Sequence, residues 1–598
     1  MKRMKIGVVV GLALVMLLNC AVQAQLVQVP PDTLVVFQVN NLKAVNDKLA
    51  KFAQDLGIAA MFPPAADPLG FLQMQAHIQQ GLDTAGNLAW VMVDPDKVGG
   101  DPSEAMLILV PVTDYKAFLS NWPDATADGD VSAIKFAGDP QPVNVANWGK
   151  YAAISPNKKL VTEKPSAGLV VPPITSREIA AKDAILYANM VALRSKVGPE
   201  LAKTRPEMIQ SLEAALNRNP QATKFTAVIK VVVNQALNGV ERCLNDADAA
   251  TFGLALTSEG INTTLMGEFQ PTSYMGKIAS SLTNTSESYL GGLPKGKYLA
   301  YGGGVHSPAV LSQLLTDIGD PIVKELLAVG PEMAPVQDYY TAVKSAVASA
   351  KNGTVGVLAP SGALGTESIM QVIAINRGDA AKMIEANTKM LTVQQQLMKA
   401  IGAPGMETMK MTYTPNAKTV AGVTFNTLAT TIEMNPQNPV SMQQAQVFNM
   451  MYGPQGQVIQ FGVVGNDIML TAIGLNDTTL AATVAAAKAN TNPFEASDGY
   501  KAVVSQLPRQ HIVAYYLAVG DFATTVLSYA KQFGLALPVQ LPPDLPPIGV
   551  AVASEGSALR IDTHVPTTLV QSLVAAGLQA QMQMNGGAPG AMPPGGGL

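Results

Sequence analysis

The chain repeats itself, and that repetition constrains every other reading of it. Ser258-Glu259-Gly260 lies between apolar runs, with Pro271-Thr272 beginning thirteen residues after Ser258. Ser554-Glu555-Gly556 lies in the same setting, with Pro566-Thr567 beginning twelve residues after Ser554. Upstream, Leu293-Pro294-Lys295-Gly296-Lys297 and Leu507-Pro508-Arg509-Gln510-His511 each open a strand-like run that leads into an amphipathic helix. A chain built this way is modular, and each candidate site in one copy has a counterpart in the other against which it can be judged.

The repeating unit is a strand followed by a helix. Leu34 to Val39 reads as a strand. Leu42, Val45, Leu49, Phe52 and Leu56 then recur at spacings of three and four, with Asn41 as cap and Gly57 as stop. A second copy is Tyr298 to Tyr301, with Ser307 as cap, Pro308 at the first helical position and Gly319 as the end. A third runs from Ile512 to Leu517, then Asp521 as cap, Phe522, Val526, Tyr529 and Phe533 as stripe, and Gly534 as stop. A weaker fourth is Ala184 to Tyr187 with a helix from Asn189, broken near Gly198-Pro199. Paired strands with short loops follow, as at Leu88–Val93 with Ala105–Val112 and at Gly353–Leu358 with Ser368–Ile375.

Adjacent strand pairs favour antiparallel sheets, and the absence of strict strand–helix alternation argues against a doubly wound fold. The expected fold is α+β: tandemly duplicated modules of antiparallel sheet with helices packed on one face. The expected divisions are a signal peptide at 1–24, first-half modules at 29–182 and 183–290, second-half modules at 293–500 and 507–582, and a disordered tail at 585–598. The first half carries a long helical insertion over 198–248, where the second half has only a proline-rich stretch at 535–547.

The first 24 residues read as an export signal. Lys2, Arg3 and Lys5 precede an apolar run from Ile6 to Leu18, and Val22-Gln23-Ala24 offers a cleavage site. The run is too short to span a bilayer, which needs about 20 residues. Cys20 would be the acylated residue of a lipoprotein, but Asn19 departs from the small residue expected before it. Removing the signal takes three positive charges from a chain of formal charge −4, and the acidic remainder argues against a nucleic-acid partner. Cys243 then remains without an intrachain disulfide partner and reads as a buried small hydrophobe on a helix.

"PPDTLVVFQVNNLKAV" at 30–45 and "LPKGKYLAYGGGVHSPAVL" at 293–311, together with the export signal, resemble an uncharacterised family of large secreted proteins from planctomycetes and related bacteria. The resemblance implies export and a duplicated α+β architecture. It supplies no catalytic residue.

The candidate sites read blandly. His77, His306, His511 and His564 have no metal-motif spacing, and HExxH, CxxC and GxSxG are absent. Ser155-Pro156-Asn157-Lys158 matches a serine–lysine pattern but reads as a loop at a strand end. Gly302-Gly303-Gly304-Val305-His306-Ser307 would offer backbone N–H groups to an anion; without a P-loop lysine it reads as a tight turn with a serine cap. Asp94, Asp96, Asp101 and Glu104 crowd a loop that would suit calcium, yet their spacing fits a solvated hairpin better. Met406, Met409 and Met411, with Met582 and Met584, would offer thioethers to copper(I), but without histidine or cysteine helpers they read as core filling.

The function expected is therefore that of a non-catalytic exported cell-envelope protein, a structural or interaction scaffold. It would be periplasmic or extracellular, with an envelope protein or itself as partner. No catalytic, cofactor or metal residue is assigned. The alternative is a periplasmic binding module holding a small ligand between the two halves.

Overall fold

The computed structural model describes residues 26–136, 141–218, 223–360, 362–401, 409–432, 439–535, 541–542 and 544–586. The expected export signal, Cys20, Met406 and nearly all of the tail lie outside the described residues; the last helix, Thr567–Gly586, takes in the first two tail positions.

The fold is α+β, and the strands show the duplication directly. In chain order the first ten are β1 (Thr33–Val39), β2 (Leu88–Val93), β3 (Met106–Pro111), β4 (Thr126–Asp128), β5 (Val131–Ile134), β6 (Val143–Asn147), β7 (Tyr151–Ser155), β8 (Ala184–Asn189), β9 (Ala247–Leu256) and β10 (Gly260–Phe269). The next ten are β11 (Tyr298–Val305), β12 (Ala350–Leu358), β13 (Gln371–Gly378), β14 (Met409–Val420), β15 (Val423–Ile432), β16 (Gln457–Val464), β17 (Ile468–Ile473), β18 (Val513–Leu517), β19 (Ile548–Glu555) and β20 (Ala558–Pro566).

The first set pairs in the order β10-β9-β8-β1-β2-β3-β7-β6-β5-β4. The second pairs as β20-β19-β18-β11-β12-β13-β17-β16-β15-β14. Adding ten to each strand number of the first order gives the second. Even an irregularity is shared: β1 against β2 and β11 against β12 each shift register at the start of the strand, between Thr33 and Val35 and between Tyr298 and Ala300.

By compactness the chain divides into two units. One comprises 1–197, 247–257 and 263–270; the other comprises 198–246, 258–262 and 271–598. In each, one sheet face is buried beneath helices. In the first, Val36, Val91, Leu107, Ile185 and Tyr187 pack with Leu160, Val161 and Ile179 from the helices Lys158–Thr162 and Pro173–Ala181. In the second, Tyr301, Leu470 and Tyr516 pack with Leu480, Val484, Tyr500 and Val503 from the helices Asp477–Ala489 and Asp498–Gln506. Each large aliphatic side chain so buried contributes about 1.5–3 kcal/mol. Burial pushes the Tyr187 hydroxyl up to about 12, helped by the charges of Asp248 and Glu268.

The segment that leads into each doubly paired strand is fastened differently in the two copies. Gln38 accepts from Val27 N at 2.8 Å and donates to Asn40 Oδ1 at 2.6 Å. Asn40 in turn donates to the carbonyls of Ile179 (2.9 Å) and Lys182 (2.7 Å). In the second copy Gly303 takes the place of Gln38, and a Cβ there would lie 2.2 Å from the Tyr289 carbonyl oxygen. The backbone of Tyr289 fills the space that a side chain would need.

Several expectations change. Asn41 caps Leu42–Asp55 as the sequence indicates, accepting from Ala44 N at 3.0 Å, and Gly57 follows with φ 71°. Ser307, by contrast, makes no cap hydrogen bond, although Pro308 does open the helix Pro308–Leu314. Gly319 does not end that helical stretch, which passes through a π turn, Leu315–Gly319, into the helix Asp320–Val329. There the Tyr340 hydroxyl meets the Leu315 carbonyl and the Asp320 carboxylate (2.7 Å from the latter), and a Cβ on Gly319 would come within 2.6 Å of it. The glycine serves close approach. In the third copy Asp521 lies inside the helix Val519–Gln532 rather than capping it.

The helix after β8 is not broken at Gly198-Pro199 but runs unbroken over Met190–Leu216. An interior proline costs about 3 kcal/mol. Arg205 offsets that cost by tying the helix to Thr226–Asp246, with hydrogen bonds to Glu241 (2.9 and 3.0 Å), Asn234 (2.8 Å) and Asn238 (2.9 Å). Cys243 is exposed rather than buried, since the inward position on its turn is taken by Leu244.

A buried ion pair gives a direct test of the first unit. Lys182 Nζ lies 3.0 Å from Glu178 Oε1 and 2.7 Å from Thr264 Oγ1, and both charged side chains are about nine-tenths buried. Lys182→Met removes the ammonium from beside the buried Glu178 carboxylate, a loss of about 3–5 kcal/mol. The midpoint of chemical denaturation should fall accordingly, and Glu178→Leu added to the same chain should restore most of it.

Candidate functional site

The two copies share their buried face and differ on the other. The shared register shift fixes the equivalence: Phe37 of β1 lies opposite Trp90 and Leu186, and Gly302 of β11 lies opposite Val355 and Tyr515. One strand further out, Ile108 is opposite Trp90 and Ala374 is opposite Val355. On the far side, Phe252 is opposite Leu186.

In the first unit this outer face presents a row of large apolar side chains on four adjacent strands. Phe37, Leu186 and Phe252 are 39%, 44% and 44% exposed. The rings of Phe37 and Trp90 lie 5.5 Å apart. Beyond Trp90, at the β3 and β7 side, the same face is closed by Phe118 and Trp122 packing on Val110, Ala152 and Ile154.

In the second unit Tyr515 stands for Leu186 and is larger, but six neighbouring positions of the same face are smaller or more polar. Gly302 stands for Phe37, Gly304 for Val39, Gly353 for Leu88, Val355 for Trp90, Ala374 for Ile108 and Asn376 for Val110. The result is a cavity of about 330 Å³, floored by those residues, walled by Val513 and Tyr515, and bordered by Leu311 of the helix Pro308–Leu314. The tight turn expected at Gly302–Gly304 is instead the middle of β11. Three successive glycines look like a turn in sequence; here they admit neighbours, since a Cβ on Gly302 would lie 2.2 Å from the Tyr515 ring.

The polar side chains of this cavity are His306, Ser307, Asn376, Tyr515 and Thr354, the last already donating to the Tyr289 carbonyl. Ser307 Oγ is buried without a hydrogen-bond partner. Burial holds the His306 imidazole below its ordinary value of 6.5. A Cβ on Gly353 would lie 3.1 Å from Asn376 Oδ1 and 3.2 Å from His306 Nε2, so these two side chains converge on one point of the floor.

The other histidines stand apart from it. His77 has φ 56° and borders a groove of about 680 Å³ with Asn121, Trp122, Lys135 and Phe136. His511 places Nδ1 3.2 Å from the Pro508 carbonyl, while its Nε2 is buried without a partner. His564 places Nδ1 2.6 Å from Asn262 Oδ1 and is held below its ordinary value by burial, with the Glu259 charge acting in the other direction.

Ser155 and Lys158 are not brought together. Ser155 Oγ donates to Met106 O (2.7 Å) and accepts from Asn157 N (3.1 Å), while Lys158 pairs with Asp128. In the acidic loop, Asp94 and Asp96 both hold Lys196, and Asp101 accepts from Ser103 N (2.9 Å) and Oγ (2.8 Å). Among the described residues no group of three or more histidine, cysteine or acidic side chains is placed to hold a metal ion. Met409 and Met411 lie on β14.

Among the described residues no helix is long and apolar enough to cross a membrane. No protein-family model matches the chain, and no curated protein matches it. Three crystal structures of TP0453 are similar to it over about half its length. Form IV is 11% identical, covers 50% of this chain and 99% of that one, and has a TM-score of 0.20. Form III is 10% identical with 48% and 98% coverage and a TM-score of 0.19; form I has the same identity and coverage and a TM-score of 0.18. At such TM-scores the likeness carries no argument about fold or function.

His306 and His564 set a pH dependence. His306 and His564 give up their protons more readily folded than unfolded, because burial disfavours the charged ring. Below about pH 6.5 the unfolded chain binds protons that the folded one does not, so stability falls as pH drops from 6.5 towards 5. Denaturant midpoints measured across that window should decline, and the decline should be shallower in His306→Gln.

Proposed function

We propose that this is a non-catalytic exported protein of the cell envelope, periplasmic or extracellular, that works as an interaction scaffold through the outer sheet face of its first unit. The observation that carries the reading is the row of exposed Phe37, Leu186 and Phe252, with half-buried Trp90 beside them, on four adjacent strands. Contiguous exposed apolar surface on a sheet marks an interaction site, and aromatic residues are enriched at the centres of protein interfaces. An acidic chain is repelled by anionic lipid, which favours a protein partner over a membrane surface.

Three further observations support the reading. The resemblance of its strand–helix openings to the secreted planctomycete family agrees with export. His306 and His511 make no hydrogen bond to a carboxylate among the described residues, and the serine–lysine pair at 155 and 158 points apart.

The partner is either a second copy or another envelope protein, and both raise the native mass. The mature protein isolated from its own envelope fraction should sediment well above the mass of one chain. Leu186→Ser with Phe252→Ser should return it to the monomer, because each side chain forfeits about 1.5–3 kcal/mol of burial. A wild-type protein that sediments as a bare monomer overturns the reading.

A further inference from the structure

We propose that the cavity on the outer face of the second unit is a binding site for a small uncharged amphiphile: an apolar body ending in one hydroxyl- or amide-type group. The inference does not depend on the scaffold reading, since it concerns the face that the second copy does not share with the first.

Its strongest support is the internal comparison. On one sheet face, at six equivalent positions, Phe37, Val39, Leu88, Trp90, Ile108 and Val110 become Gly302, Gly304, Gly353, Val355, Ala374 and Asn376. Every replacement is smaller or more polar. Glycine inside a strand weakens it by roughly 0.5–1 kcal/mol relative to alanine, and here three glycines face the same hollow. Gly302 and Gly304 are taken up by packing in this copy, since they admit the Tyr515 ring and the Ile512 carbonyl. Val355, Ala374 and Asn376 are not so explained: they leave open the space that Trp90, Ile108 and Val110 fill in the first copy, and that hollow calls for a role outside the fold.

The lining specifies the ligand. The walls and floor, Val355, Ala374, Val513 and Tyr515 with Leu311 above them, are apolar or aromatic. About 330 Å³ is at the lower end of ligand pockets and fits a bicyclic ring system or a short acyl chain. No aspartate, glutamate, lysine or arginine lines it, so an ionised ligand would surrender its hydration and meet no counter-charge. One end is polar: Asn376 Oδ1 and His306 Nε2 converge there, and Ser307 Oγ is buried with no partner. An orphaned buried hydroxyl costs about 1–3 kcal/mol, which a hydrogen-bonding ligand head would offset. Histidine held neutral offers one donor and one acceptor, again matching an uncharged head.

The test is a fluorescence titration of the mature protein with N-phenyl-1-naphthylamine, an uncharged aromatic probe. It should bind saturably at one site per chain. Octan-1-ol should displace it at concentrations at least about tenfold lower than octanoate at pH 7. Ala374→Ile restores the residue of the first copy, keeps a strand-favouring side chain and fills the floor, and it should weaken the probe at least about tenfold. Leu311→Trp fills the same space from the helix and decides the matter if the sheet variant does not fold. Val170→Ser, at an exposed residue outside the cavity lining, should leave probe binding unchanged. The proposal falls if a folded filling variant binds the probe like the wild type, if octanoate competes as well as octanol, or if no saturable binding occurs.

Discussion

Each half of this protein depends on its first strand, which joins one partner from early in the half to another from late in it. β1 is held between β2 and β8, and β11 between β12 and β18. The second partner comes about 150 residues later in the first half and about 210 later in the other, so this pairing closes the sheet over nearly the whole module. It also fixes sidedness. Because successive residues face opposite sides, Val36 with Tyr187 and Tyr301 with Tyr516 must point into the buried layer. Whatever lies one residue along, Phe37 or Gly302, must point out. The outer faces are thus defined by the same interaction that builds the cores.

Duplication then separates what the fold needs from what it tolerates. Both copies keep one buried tyrosine, Tyr187 or Tyr516, together with the two helices over the inner face and the register shift at the start of β1 and β11. They part at the outer face, where one copy exposes aromatic and aliphatic side chains and the other is hollowed by glycines. They part also beneath the strand, where the Gln38 amide fastens one leading segment and the Tyr289 backbone against Gly303 seats the other. Both fastenings serve the same end, a buried backbone whose polar groups find partners.

Much of the fold was legible because its signals are local. Asn41 and Gly57 mark a helix by cap chemistry, and the repeated Ser-Glu-Gly turns mark equivalent hairpins. What escaped was set by distant contacts. Phe522 and Val526 are helical as their spacing indicates, yet they are 51% and 48% exposed, because periodicity does not say which way a face turns. Gly319 looked like a stop, and only the Tyr340 hydroxyl explains it. Pro199 looked like a break until Arg205 is seen bridging two helices. The candidate site was hidden most completely. Gly302 to Gly304 resemble a turn, and the residues they meet arrive from strands and segments far along the chain. Pairing the two copies residue by residue from the sequence would have exposed the loss of bulk, but that pairing needed the register shift that only the structure supplies.

The claim on which this account rests is that one sheet is built twice and that the glycine-rich β11 is as firmly held as β1. Hydrogen–deuterium exchange on the intact mature chain tests it most directly. The account predicts matched protection in equivalent strands, with β1 and β11 among the slowest to exchange and β4 and β14, each paired along one edge among the described residues, among the fastest. Rapid exchange across Gly302–Gly304, at the rate of an edge strand, would contradict it.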